Sequence, residues 1–357
     1  MTARASPQPS PRILFLADAG PAVGGGHVMR GLTLARALRD EGAACTFLAA
    51  PAVAAVLDAF GADVARIEID PANLPALVET AADHAQAFDA VIIDHYGLSA
   101  PDHRAIAAGK PTLVIDDLAD RPLAADLVLD SGPARQAADY DGLVPPQAAL
   151  LLGPNHAPVR PAFELLRKAA LARRATAPPV RRILVSLGLT DLGGITGRVV
   201  DLMLPLLKKG GTGDATLDVV LGSGAPSLPG LRDLAAREPR LALHVDSQDM
   251  PRLTLEADLA VGAGGSSSWE RCVLALPTLL LVLADNQREA SQALAGADAV
   301  LALDVAAPDF ETAFRTDLAR LLADPPLRDR LSAASASVCD GRGAARVAER
   351  FLGLLRG

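Results

Sequence analysis

Aromatic residues are scarce: eight Phe, two Tyr and one Trp in 357 residues. The core must therefore be packed from Leu, Val, Ile and Ala. Cysteine is scarcer still. Cys45, Cys272 and Cys339 are far apart and odd in number, which excludes a disulfide framework and a cysteine zinc site and fits a reducing cytoplasm. Positive charge is never concentrated. The net charge is −8, with no stripe of Lys and Arg, which argues against nucleic acid or an anionic membrane surface as partner. A phosphate ligand is not excluded, because a few backbone N–H groups can bind one locally. Long apolar runs are missing too. The longest, Val273 to Ala284, is broken by Pro277, whereas a membrane span needs about 20 residues. The apolar run Ile13–Ala17 is too short for a signal-peptide core. The first eleven residues, with Pro7, Pro9 and Pro11, read as a disordered tail.

What is present is apolar residue in quantity, half of the chain, and enough length for two domains. Short apolar runs alternate with longer amphipathic stretches. The first half has candidate strands at Arg12–Ala17, Cys45–Ala49, Ala90–Asp94, Thr112–Asp116 and Leu127–Asp130. All are continuous apolar runs, as strands buried on both faces are. A helical face of Val28, Leu32, Ala35 and Leu38 runs to Asp40 and stops near Gly42. Pro158, Pro161, Pro178 and Pro179 surround a short basic helix that reads as a linker. A second series follows, with strands at Arg182–Leu187, Leu217–Leu221, Leu241–Val245, Leu259–Val261 and Thr278–Leu283. A final helix is expected over 326–356. The rhythm predicts an α/β protein of two Rossmann-like, doubly wound domains facing a central cleft. The expected division is 1–160, a linker at 161–181, and 182–357, with the last helix free to pack back on the first domain.

The strand Arg12–Ala17 leads into Asp18–His27, a loop in which Gly24, Gly25 and Gly26 precede a helix. The loop is neither a Walker loop, since no Gly-Lys-Ser/Thr follows, nor a good dinucleotide fingerprint. Gly25 and Gly26 let backbone approach a ligand closely. His27, at a helix N-terminus, is expected to be neutral near pH 7 and suited to act as a general base; a capping or surface histidine fits the spacing equally. Asp94-His95-Tyr96-Gly97 closes a strand pointing into the same cleft. There Tyr96 either orients water or sugar, or is a buried tyrosine with a satisfied hydroxyl. Asp94 and His95 either orient other groups or, as is expected, make strand-end hydrogen bonds, and for Asp116 and Asp117 helix capping is expected. No metal ligand set is visible and no cofactor is expected.

The most informative stretch is Asp258 to Arg271: a buried strand, a small-residue turn and a helix. Gly264, Gly265, Ser266 and Ser267 offer N–H groups and hydroxyls to a diphosphate. Glu270, one turn on, is placed either for two ribose hydroxyls or for a capping box with Ser267. Asn286 and Gln287 follow the strand Thr278–Leu283, where side-chain amides can read sugar hydroxyls or simply form a polar turn. Ser186–Asp191 reads as a plain turn.

Together these stretches resemble the GT-B glycosyltransferases, especially the MurG group. They are more similar still to the PseG family, the UDP-2,4-diacetamido-2,4,6-trideoxy-β-L-altropyranose hydrolases of pseudaminic acid synthesis. The resemblance is carried by Gly26-His27-Val28-Met29-Arg30, Ile93–Gly97, Ile115–Arg121, Arg160–Phe163, and Gly262–Arg271 with Leu279–Gln287. It implies a GT-B fold and a cytoplasmic enzyme whose partner is a small-molecule nucleotide sugar. It implies that His27 is the base, supported by Tyr96, and that UDP lies on Gly264–Glu270 with Asn286 and Gln287 nearby. Water would attack the anomeric carbon with inversion, releasing UDP. The chain departs from the family pattern at Leu16, Leu123, His156, Leu189 and Asp285, positions that bear on the sugar's substituents and the linker. Two other readings use the same scaffold: a glycosyltransferase passing the sugar to an acceptor alcohol, and a non-catalytic nucleotide-sugar binding protein.

Overall fold

The computed structural model describes residues 10–20, 23–176, 178–209 and 215–356. Residues 1–9 of the expected N-terminal tail, Pro21 and Ala22 of the first glycine loop, and Ala177 of the linker lie outside them. The first sheet comprises β1 (Arg12–Ala17), β2 (Ala44–Ala49), β3 (Ala65–Glu68), β4 (Ala90–Asp94), β5 (Thr112–Ile115), β6 (Leu127–Asp130) and β7 (Ala149–Leu152). The second comprises β8 (Arg182–Ser186), β9 (Thr216–Leu221), β10 (Leu241–Val245), β11 (Leu259–Ala263), β12 (Thr278–Val282) and β13 (Leu301–Asp304). Their spatial orders are β3-β2-β1-β4-β5-β6-β7 and β10-β9-β8-β11-β12-β13, and every pairing is parallel. Parallel neighbours need a crossover, and α-helices supply it except from β5 to β6, where residues 116–126 hold no helix, and from β6 to β7, where there is only the 3-10 turn Ala137–Tyr140. In each sheet the winding reverses once, between β1 and β4 and between β8 and β11. At such a reversal the two following loops diverge and leave a crevice beyond the strand ends.

The central strands are where the sequence places them, because β4, β5, β6, β11 and β12 are buried along their whole length. β3 (ARIE) carries no apolar run, whereas β7 (ALLL) and β13 (LALD) are short apolar runs that the sequence reading did not take as strands. All three are sheet edges, and their residues are exposed or only half-buried. An edge strand is covered on fewer sides and needs no continuous apolar run. The expected last helix is two helices, Pro325–Val338 and Gly343–Arg356, interrupted at Gly341 with φ of +88°. A side chain at Gly343 would come within 2.2 Å of the Ala157 carbonyl oxygen, so only glycine lets the last helix start against that strap of chain.

Two helices cross the boundary between the sheets. The connecting helix, Pro161–Arg174, is no free linker. It sinks Phe163 and Ala170 among Trp269, Cys272 and Val273 of the second lobe. Arg167 donates to the carbonyls of Val273, Ala336 and Cys339 at 2.7, 2.6 and 3.2 Å. The last helix returns to the first lobe, where Ala344, Val347, Ala348, Phe351 and Leu352 join the core of the first helix, Gly26–Asp40. The three cysteines are buried and unpaired, and burial pushes the Cys45 and Cys272 thiols up to about 12. Among the described residues no helix is long and apolar enough to cross a membrane.

Candidate active site

The register of the first sheet sets Ala17 of β1 beside Asp94 of β4, so the loops after these strands leave from the same end. The helix after the glycine loop begins at Gly26, earlier than its apolar face suggests. His27 thus stands in its first turn and turns inward. It is 5% exposed and Asp94 2%, so His27 is not the open ring that its place in a glycine loop suggests. His27 Nδ1 is 2.6 Å from Asp94 Oδ1. Arg30, one turn along the same helix, forks onto the same carboxylate, with Nε and Nη2 at 2.5 and 2.6 Å from Oδ2 and Oδ1. Its Nη1 donates to Asp117 Oδ2 at 2.9 Å. Burial alone would raise the Asp94 pKa. Attraction to Arg30 and then to His27, with their hydrogen bonds, outweighs it and holds the carboxyl well below the usual range. The Tyr96 ring packs edge-on to His27, with centroids 4.5 Å apart and planes at 85°. Burial, followed by the Asp117 carboxylate, pushes the Tyr96 phenol pKa up, so it stays protonated at neutral pH.

Asp116 and Asp117 do not cap a helix. Asp116 accepts from the Ala119 N–H, Arg121 and the Tyr140 hydroxyl, at 2.8, 2.9 and 2.9 Å. His95 turns to its own loop, where Nδ1 accepts from the Gly97 N–H at 3.0 Å.

In the second lobe β11 runs out at Ala263, and the short helix Ser267–Val273 starts after Gly264–Ser266. Buried Arg271 braces this turn from behind. It donates to the Ala263 carbonyl at 2.7 Å and to the Ser267 and Ser268 hydroxyls at 3.0 Å each. Ser267 Oγ is therefore an acceptor towards the protein, which leaves its hydrogen to donate elsewhere. Gly264 is required by packing: a Cβ there would meet Ser291 Oγ at 2.5 Å. Glu270 forms no capping box. Its Oε1 is held by Arg160 Nε and Nη2 at 2.9 and 2.8 Å. Gln287 holds its own turn, with Oε1 accepting from the Leu283 N–H at 3.0 Å. Asp191 is more than part of a plain turn: it is buried and accepts from the Thr196 and Ser227 N–H groups at 2.8 and 2.9 Å.

The two lobes meet at these stretches. Asn286 Nδ2 donates to the Tyr96 hydroxyl at 3.0 Å across the gap. Ser266 Oγ is 3.9 Å from where a Cβ on Gly26 would stand, and Leu189 is 3.6 Å from the same point on Gly25. His27, Tyr96, Gly25, Gly26, Ser266 and Asn286 thus converge. Glu270 lies to one side with Arg160, which also lines an interlobe cavity of about 210 Å³ with Met29, Arg36, Phe60, Gln248 and Pro251. Among the described residues no three metal-ligating side chains cluster. Sequence reasoning favoured a strand-end hydrogen bond for Asp94, with the orienting of another group as its alternative, and gave Arg160 no role of its own. Arg30 had a signal, since i and i+3 on a helix are neighbours. Asp94 had its place at a strand end facing the same cleft, but only the sheet shows that His27 is its partner.

No protein-family model matches the chain. The chain is 24% identical over 286 residues to the UDP-2,4-diacetamido-2,4,6-trideoxy-β-L-altropyranose hydrolase of Campylobacter jejuni, an alignment covering 80% of this chain and 96% of that one. It is 28% identical over 199 residues to the spore coat polysaccharide biosynthesis protein SpsG of Bacillus subtilis, over 55% of this chain and 56% of that one. Among solved structures, Acinetobacter baumannii MurG superposes with a TM-score of 0.67 at 17% identity, over 97% of this chain and 100% of that one. S. aureus MnaA, solved with UDP, also gives 0.67, at 14% identity and 97% coverage of both chains. The resemblance carried by the motifs therefore extends over most of the chain, and the fold is GT-B.

Proposed function

We propose that this chain hydrolyses a UDP-activated diacetamido-trideoxy-altrose-type sugar to the free sugar and UDP. His27 removes a proton from water as its oxygen attacks the anomeric carbon, and the C–O bond to the diphosphate breaks with inversion. The bond electrons leave with UDP, and the proton passes from His27 to solvent. UDP is a good leaving group once its charge is held, so one base suffices and no glycosidase-type carboxylate pair is needed. Gly264, Gly265, Ser266 and Ser267 hold the diphosphate, Glu270 with its second oxygen takes ribose hydroxyls, and Asn286 and Gln287 meet the sugar or nucleotide. Tyr96 supports the base. Residues 1–160 carry the base, 161–181 connect, and 182–357 bind the nucleotide. The work is done in the cytoplasm, within pseudaminic acid synthesis for flagellin or surface glycan.

The observation that carries this reading is the meeting of His27 and Tyr96 with the serine turn and Asn286 across one gap. The 24% identity to a hydrolase of this substrate class supports it. The test is His27→Asn, which should still bind UDP and turn over at least about a hundredfold more slowly. Near-normal turnover would remove His27 from the mechanism. A glycosyltransferase reading draws on the fold shared with MurG. Incubation with the UDP-sugar alone separates the two: free sugar equal to UDP means hydrolysis, whereas UDP released only with an added acceptor alcohol means transfer.

A further inference from the structure

We propose that Asp94, clamped by Arg30, is a positioning residue that fixes the tautomer and direction of the His27 ring. The inference deepens the hydrolase reading and rests on His27 being its base. Three donors crowd one buried carboxylate. Arg30 Nη2 lies 2.6 Å from Asp94 Oδ1 and only 3.1 Å from His27 Nδ1. His27 Nδ1 lies 2.6 Å from the same oxygen. A guanidinium nitrogen only donates and an ionised carboxylate only accepts. Were Nδ1 bare, its lone pair would face the carboxylate oxygen at 2.6 Å, which is repulsive. Nδ1 must therefore carry the hydrogen and give it to Asp94. In a neutral ring the lone pair is then on Nε2, which has no hydrogen-bond partner among the described residues. That is the atom available to take a proton from water.

Arg30 does two things in this arrangement. Its fork fixes the carboxylate plane, since both oxygens are engaged. It also keeps Asp94 ionised, so the carboxylate cannot itself become a donor and reverse the ring. Charge balance favours the same outcome. Arg30 with Asp94 and Asp117 leaves one net negative charge beside a neutral ring. Protonation of His27 during the reaction cancels it. Asp94 is buried with both oxygens engaged by Arg30 and His27, so it acts through the imidazole.

The tautomer is read directly by 15N–1H correlation spectra of the full chain labelled in histidine. The His27 signals are assigned by their loss in His27→Asn. With the pH raised until the ring signals no longer change, the neutral wild-type ring should show Nδ1 protonated and Nε2 bare; the opposite tautomer overturns the inference without reference to turnover. Asp94→Asn should shift or mix the tautomer, lower kcat for UDP release at least about a hundredfold and leave KM within about threefold. If Asp94→Asn keeps the wild-type kcat while His27→Asn is inactive, the positioning role is wrong and the base reading stands. If both variants turn over normally, the base reading fails and this inference falls with it.

Discussion

His27 and Asp94 are 67 positions apart and touch at 2.6 Å, and much of the chemistry proposed here hangs on that contact. It also has a cost in acid. Because the Asp94 pKa is depressed in the fold, its ionised form contributes stability that is complete above the unfolded value, about 3.9. That contribution is lost as pH falls below it. Urea midpoints taken between pH 6 and pH 3 should thus fall more steeply for the wild type than for Asp94→Asn; parallel slopes would mean the carboxylate is not held this way. Tyr96 separates two roles. Tyr96→Phe keeps the ring against His27 and loses the bond to Asn286, so it should raise KM by several-fold while kcat changes less than about tenfold. A collapse of kcat instead would give the hydroxyl a chemical role. Of the positions where the chain departs from its family pattern, Leu16 and Leu123 sit in the core behind the first sheet. Leu189 packs on Gly25 at the gap itself, and so bears on the substrate more directly than they do.

The last helix shows how a stretch distant in sequence can complete a core. Phe351 is fully buried among side chains of the first helix and its sheet. Phe351→Ala should cost about 3–5 kcal/mol in chemical denaturation, with the loss felt in the first lobe although the residue belongs to the end of the chain. A cost below about 1 kcal/mol would mean the helix is not docked as described. The connecting helix is fastened to the second lobe by apolar packing and the Arg167 bonds to three carbonyls. The two lobes therefore move, if they move, about the chain entering the connecting helix and the chain leaving the helix Pro325–Val338.

Between the lobes Arg160 holds Glu270 at 2.9 and 2.8 Å, and the other polar links among the described residues are exposed and thin. Besides Tyr96–Asn286, Gln248 donates to the Ala59 carbonyl at 2.8 Å and Arg135 reaches Glu289 at 3.3 Å. Exposed links of this kind are worth about 1 kcal/mol or less each. Yet Gly26 and Ser266 stand too close to admit a sugar diphosphate between them. On the proposed function, binding of the nucleotide sugar parts the lobes and closure follows, as in hinge enzymes. X-ray scattering of the ligand-free chain should give a larger radius of gyration than this closed arrangement, contracting when UDP is added to saturation. Identical curves with and without UDP, both matching the closed form, would refute the opening.

The amino-acid order alone determined a great deal: parallel two-lobed architecture, the central strands and both glycine turns. These are local properties, since a strand buried on both faces must be apolar throughout and a turn against a helix start must be small. It did not determine β3, an edge strand without an apolar run, nor did it single out the four-residue edge strands β7 and β13, whose apolar runs are too short to stand out, nor the break at Gly341. It placed His27 in a loop mouth, whereas the folded chain buries it. Which acid holds His27, which arginine takes one oxygen of Glu270, and which tyrosine meets Asn286 were decided only by the tertiary structure. Each of those pairs joins residues from separate strand ends or separate lobes, and sheet order and lobe closure are properties of the whole chain that no single stretch encodes.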